Sequence, residues 1–509
     1  MTDQTPQREY VAPPALVVKS PMAWLALFGP GAVIASLTIG TGELIFSTRG
    51  GALFGYRILF LFLFVSLLKW GLVFATARHM VLSGAHPYRR MMDLPGPQGW
   101  LVILFFLLAI PSYPIWVGFH SSVVGNLVSW ITGTREVFHG AIDYLWGMAV
   151  LGSALILAVT GGYSIFERVQ VVIVFLMVLC AGVTLVLYNP PWLEMLFGAI
   201  IPQPYEYPDW LPEAYPNIAK YNVWVETTRY VGVIGGASYD YLAYTSFLRQ
   251  KQWGNSSAGV VERHELNRIA EDPAHPVRSW VTAPLIDLSA SFLLIVAFSA
   301  VFVASGALVL GPQHKIPDGD NFLNLQAEFV TALHPWLLPI YLIAALLTMF
   351  GTLYGTIEVA CTISNEAGRS LAPKFTQRNE RRIRLMTVAC CAIGASSLLV
   401  YNFFHKWSGS EGSGGRILLD KFLTPVNLFT GILGCGILCL LVSRFDRQAL
   451  PKSLRMPGWL VCLNWFAGAV FIGLGIKGYY DHDSRYQAIG ALTIALIVSL
   501  LIAKLRKQK

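Results

Sequence analysis

Apolar runs long enough to cross a bilayer recur along the whole chain, separated by short polar stretches. They fall at 22–49, 56–81, 98–131, 141–160, 166–188, 222–248, 280–309, 334–363, 383–404, 420–443, 457–477 and 486–503. A helix needs about 20 apolar residues to span the hydrocarbon core, so the pattern predicts twelve transmembrane helices. The ten-residue alternation of a membrane barrel is missing. The polar segment 1–21 is an N-terminal tail. The run after it is too long for the apolar core of a signal peptide, so it is read as a retained first span. Three connections are long. Residues 249–279 are polar and cytoplasmic. Residues 189–221 are external and carry the Pro, Tyr and Trp expected at a membrane interface. Residues 405–419 are external, rich in Gly and Ser, and expected to be mobile.

Composition narrows the class. Of 509 residues, 55% are hydrophobic and only 13% are charged, and mean hydropathy is +0.55. Soluble domains carry about a quarter charged residues. A soluble enzyme, a disordered chain and a secreted disulfide scaffold are excluded. The seven cysteines lie in apolar segments without a CxxC pair, so they read as buried hydrophobes rather than zinc or redox ligands. The net charge of +8 reflects orientation, not nucleic-acid binding. With the N-terminus in the cytoplasm and the spans alternating, 25 of the 37 Lys and Arg fall inside, 11 outside, and Lys69 within a span. This asymmetry follows the positive-inside rule. It predicts a multi-pass protein of the plasma (inner) membrane with both termini cytoplasmic.

Two spans are interrupted. The first contains Thr38-Ile39-Gly40-Thr41-Gly42-Glu43, and the sixth contains Gly235-Gly236-Ala237-Ser238-Tyr239-Asp240-Tyr241. Each places glycine, hydroxyls and one carboxylate near mid-membrane, and glycine is a poor helix former. Paired interruptions at corresponding positions of two halves mark a transporter binding site. Unwound backbone is intolerable in lipid and must face protein, water or substrate. Intramembrane acids are functional candidates by default, although an acid near the start of a half-helix also serves as a cap.

The first-span stretch continues as Arg49-Gly50-Gly51-Ala52-Leu53-Phe54-Gly55-Tyr56. Here the sequence resembles the Nramp family of proton-coupled divalent-metal transporters. The family's Asp-Pro-Gly-Asn motif falls on Gly40-Thr41-Gly42-Glu43, and its Met-Pro-His-Asn motif on Ser238-Tyr239-Asp240-Tyr241. The resemblance implies an all-α, LeuT-like architecture of two inverted five-helix repeats, with discontinuous first and sixth helices and two extra helices. It also implies alternating access. The domain reading is therefore 22–188 for the first repeat, 189–221 for the external loop, 222–444 for the second repeat, and 445–509 for the extra helices and basic tail. The departures are as informative. Gly40 replaces the family's metal-binding Asp, Glu43 its Asn, and Ser238 its soft Met, a ligand type suited to transition metals. Asp240 takes the place of the His. The third span, Pro114-Ile115-Trp116-Val117-Gly118-Phe119-His120-Ser121-Ser122, carries no acid. The resemblance thus implies a divergent branch to which transition-metal transport does not carry over.

Three readings of the cargo follow. In the first, hydroxyls of Thr38, Thr41, Ser238, Tyr239 and Tyr241, with exposed amides around Gly40 and Gly42, bind a small oxyanion, bicarbonate foremost. Glu43, Asp240 and His120 are then the ion-coupling residues, with H+ or Na+ as the coupling ion. One proton moved with one bicarbonate amounts to moving CO2, so accumulation requires Na+ or more than one proton. In the second, Glu43 and Asp240 bind a hard divalent cation, Mg2+ or Mn2+. In the third, the fold serves a non-transporting sensor. His120 is either a core histidine or a proton relay. Glu358 reads as solvated near a helix end, Asn427 as a cross-helix or pathway residue, and Asp287 as paired with a neighbour. No nucleotide, dinucleotide, HExxH or nucleophile-elbow motif is present, so neither an enzyme nor an ATP-driven pump is expected and no cofactor is implied. The partners are a small inorganic ion and the bilayer. The oligomeric state is left open, with a monomer plausible.

Overall fold

The protein is described by a computed structural model covering residues 14–18, 20, 24, 27–160, 163–317, 325, 327–328, 331, 334–408, 423–482 and 485–507. Every regular element among them is helical. The helices used below are α1 (Pro30–Thr38), α2 (Leu44–Phe54), α3 (Ile58–Ser83), α4 (Trp100–Ile131), α5 (Ile142–Thr160), α6 (Tyr163–Tyr188), α7 (Val223–Val233), α8 (Ser238–Gln250), α9 (Thr282–Ser305), α10 (Leu338–Leu371), α11 (Pro373–Trp407), α12 (Gly434–Ala449), α13 (Gly458–Asp481) and α14 (Arg485–Lys507). Counting α1 with α2 and α7 with α8, these helices coincide with the twelve apolar runs of the sequence. Nine stretches of the described residues are long and apolar enough to cross a membrane, one of them running through α2 and α3. The half-helices α1, α7 and α8 are not among them, since each spans only part of a bilayer.

Local chemistry sets the boundaries. Pro30 stands at the first turn of α1, where its missing N–H costs nothing. Gly84 ends α3 in the left-handed region at φ +66, its N–H returning to the Met80 carbonyl at 2.8 Å. α4, α5, α10 and α11 pack on one another as a scaffold. α3 and α9 instead pack along the broken helices, α9 against α1 and α2, and α3 against α8.

Some expectations need correction. Arg49, counted among the 11 outside residues at the end of the first apolar run, lies inside α2 and is buried. Residues 405–407 continue α11 rather than opening a loop, and 409–419 of the expected mobile segment lie outside the described residues, as does most of the 1–21 tail. Glu358 is not solvated. It is buried in α10 and ion-paired with Arg384 of α11, with Nη1 to Oε2 at 2.9 Å.

Candidate functional site

The break in the first span centres on Gly40, whose ψ of −131° departs from the helix. A Cβ at Gly40 would collide with the Thr352 hydroxyl of α10. That hydroxyl donates to the Ser36 carbonyl at 3.1 Å, just before the break. The side chain of Thr41 and the burial of Gly42 lie outside the described residues. In the sixth span, Gly235 and Gly236 adopt φ values of +79 and +93. This is a left-handed conformation that glycine takes without steric cost.

Interrupting a buried helix leaves amides and carbonyls without helical partners. Three charged side chains satisfy them here. Glu43, fully buried, accepts from the Gly235 N–H at 3.2 Å and from the hydroxyls of Ser47 at 3.0 Å and Ser299 at 2.6 Å. Asp240 accepts from the Ala237 N–H at 2.8 Å, capping the first turn of α8. The third is Lys69, in the middle of α3. Its Nζ donates to the carbonyls of Ile234 at 2.6 Å, Gly236 at 2.7 Å and Val231 at 2.9 Å, with Gly232 at 3.4 Å. Sequence reasoning counted Lys69 but gave it no role. The missed signal was a cation at the middle of a long apolar helix.

A cavity of about 80 Å³ lies between the breaks, α4 and α10. A water needs about 10–15 Å³ of such space, so there is room for a small ion together with several waters. Of the expected site residues, Thr38, Tyr239, Asp240 and His120 line it. Glu43, Ser238 and Tyr241 are buried but not in its lining, and neither is Gly40. The two acids therefore share the α7–α8 break without sharing the cavity. Ser112, Tyr113, Thr356, Asn427 and Thr430 complete the polar lining, and only Asn427 among them was singled out from sequence. His120 stacks on Trp116, with ring centroids 5.5 Å apart.

The hydroxyl protons are largely committed. Thr38 donates to Ile34 at 2.8 Å, Tyr239 to Phe105 at 2.6 Å, Thr356 to Thr352 at 2.8 Å, and Thr430 to Val426 at 3.0 Å, each to a backbone carbonyl. Tyr241, behind the cavity, donates to Gly235 at 2.6 Å. The Ser112, Tyr113 and Ser238 hydroxyls and Asn427 Oδ1 have no hydrogen-bond partner among the described residues. No group of three or more His, Cys, Asp or Glu among the described residues is placed to hold a metal ion.

Two clamps fix the half-helices. Asp287 of α9 accepts from the N–H groups of Gly29 at 3.1 Å and Gly31 at 2.8 Å, at the start of α1, and from the Tyr244 hydroxyl of α8 at 2.9 Å. Arg49 of α2 forms a buried bidentate pair with Glu226 of α7. It also donates to the Pro317 carbonyl at 3.2 Å, while Tyr230 donates to Glu226 at 2.8 Å.

Residues 31–481 match the family model described as natural resistance-associated macrophage protein-like. The chain belongs to the Nramp family. The family is one of multi-pass membrane transporters, not an enzyme class. Relatives include a divalent metal cation transporter MntH of Agrobacterium fabrum, 21% identical over 90% of this chain and 87% of that protein. An MntH of Listeria innocua is 22% identical over 88% and 87%. The manganese transporter of Eremococcus coleocola, in complex with an aromatic bis-isothiourea compound, has a similar fold. Its TM-score is 0.65 at 14% identity, covering 95% of this chain and 96% of that one. A nucleobase-cation-symport-1 transporter, MHP1, also superposes, with a TM-score of 0.50 at 14% identity over 97% and 94%. The Nramp chain thus has the LeuT-like fold, with discontinuous first and sixth helices.

Proposed function

We propose that this Nramp protein is a secondary transporter of a hard divalent cation, Mg2+ or Mn2+, passing through the cavity between the broken helices. One observation carries the reading: most of the lining hydroxyls have spent their protons on backbone carbonyls and have only oxygen lone pairs left to offer. Asp240 adds a carboxylate and Asn427 Oδ1 an unpartnered acceptor. One carboxylate with neutral oxygens and retained water suits Mg2+ in particular, and no soft ligand lines the cavity to favour a transition metal. With Glu43 and Asp240 ionised against Lys69, the break carries one net negative charge. The names of the relatives favour a metal cation as well.

The oxyanion expectation loses its main footing, because the hydroxyls of Thr38, Tyr239 and Tyr241 are already donating elsewhere. It survives as a second reading on one observation: the Ser112 and Tyr113 hydroxyls remain unpartnered donors at the cavity. In either case we take H+ or Na+ as the coupling ion, with Asp240, Glu43 and His120 as its candidate carriers. The repeats 22–188 and 222–444 supply the moving bundle, and both termini are placed in the cytoplasm.

Purified protein in liposomes, loaded with a Mg2+- or Mn2+-sensitive dye, tests the choice. Saturable cation influx driven by an inside-negative potential is the expected result. Labelled bicarbonate uptake at alkaline pH without cation influx would select the second reading. Neither flux would reduce the protein to a sensor.

A further inference from the structure

A lysine in the middle of a 26-residue apolar helix is costly to bury. Lys69 is fully buried, so the surrounding oxygens must compensate its charge. An ammonium has three donors and no acceptor. Around Nζ stand three backbone carbonyls within 2.9 Å and a fourth at 3.4 Å, all acceptors. Two of them, Val231 and Gly232, are C-terminal carbonyls of α7, the end of a helix that attracts positive charge. The other two, Ile234 and Gly236, belong to the unwound backbone. Half-helix C-termini and unwound carbonyls are the ligand types with which interrupted membrane helices coordinate a sodium ion.

We propose that Lys69 is a tethered cation: its ammonium fills a carbonyl cage at the α7–α8 break that would otherwise take a small monovalent cation such as Na+. The site is unusual because its occupant is part of the chain and never dissociates. The break therefore keeps its shape throughout the cycle with no ion drawn from solution at this place. The inference rests on the geometry of the break alone and holds for either cargo.

The lysine stem also fits the role. Its Cδ would stand 3.2 Å from a Cβ placed on Gly235, so the chain runs along the glycine it secures. Shortening the side chain would leave a void lined by carbonyl oxygens rather than by hydrocarbon. Such a void binds water or a cation, not an apolar guest.

The test is the salt dependence of thermal unfolding in detergent, with no cargo present. Lys69→Ala is compared with the native protein in choline, sodium, potassium and ethylammonium chloride at equal ionic strength. Native protein sets the baseline difference between sodium and choline, which includes any sodium bound as the coupling ion. Lys69→Ala should unfold earlier in choline and regain several degrees in sodium or ethylammonium, as expected for a ligand that binds only the folded state. Lys69→Ser, which likewise empties the cage, serves where Lys69→Ala does not accumulate, and should show the same selective response. A merely structural lysine would lower stability equally in every salt. Variants whose gain in sodium or ethylammonium over choline does not exceed that of the native protein would overturn the proposal.

Discussion

Glu43 and Lys69 hold opposite ends of one peptide unit. Lys69 donates to the Ile234 carbonyl at 2.6 Å, and the Gly235 N–H of the same amide donates to Glu43 at 3.2 Å. The unit after next repeats the arrangement, with Lys69 on the Gly236 carbonyl and Asp240 on the Ala237 N–H. Hydrogen bonds in such chains polarise one another in a low-dielectric interior. A change of charge at either acid is thereby felt at the shared lysine, although only Asp240 reaches the cavity.

Glu43→Gln should separate capping from coupling. The amide keeps the shape but exposes an NH2 group to the donors from Ser47, Ser299 and Gly235. A lost charge-assisted bond costs about 1–3 kcal/mol, which lowers the unfolding midpoint without preventing folding. Transport in proteoliposomes should fall at least tenfold. Unchanged flux with unchanged ion dependence would leave Glu43 as a cap alone.

Asp240→Asn retains an acceptor for the Ala237 N–H, so the fold should persist. The cavity loses its carboxylate, and the apparent affinity for Mg2+ or Mn2+ should weaken by tenfold or more, measured as the half-saturating concentration of influx. Equal affinities in both proteins would remove Asp240 from the cation path.

Asp287→Ala deprives two buried N–H groups and the Tyr244 hydroxyl of their acceptor. Each unsatisfied buried donor costs about 1–3 kcal/mol. This should be the most destabilising of the changes described, visible as a large drop in melting temperature or in yield after solubilisation. Asp287→Asn, which retains one acceptor oxygen, should fall between it and the native protein.

Gly235→Ala combines two penalties. The left-handed backbone at φ +79 costs an alanine about 1–2 kcal/mol, and the new methyl presses on the Lys69 stem. A lowered melting temperature with impaired transport is expected. By contrast Gly458→Ala, in a glycine with open space around it, should change neither.

Much of this architecture is written plainly in the sequence. The twelve apolar runs fall on helices because a long apolar stretch must satisfy its backbone internally. Gly40 and the Gly235-Gly236 pair marked the breaks because so few residues tolerate those backbones. Partnerships across the fold are another matter. Asp287 looked like one more intramembrane acid until Gly29, Gly31 and Tyr244 were seen converging on it from two other elements. Glu358 looked solvated until Arg384 arrived from the next helix. The hydroxyls of Thr38, Tyr239 and Tyr241 read as anion donors, and no sequence pattern shows that they donate to the carbonyls of Ile34, Phe105 and Gly235. Lys69 was visible as an anomaly, but the four carbonyls that give it meaning lie more than 160 residues away in sequence.

The Asp287 clamp also limits how the machine can move. One carboxylate grips the start of α1, the N-terminal part of α9 and Tyr244 of α8, so none of these three pieces shifts against the others without breaking a buried hydrogen bond. Arg49 and Glu226 tie α2 to α7. Glu43, bonded both to Ser299 of α9 and to Gly235, bridges the two groups. Any movement at the breaks must therefore break a buried polar contact or carry it along.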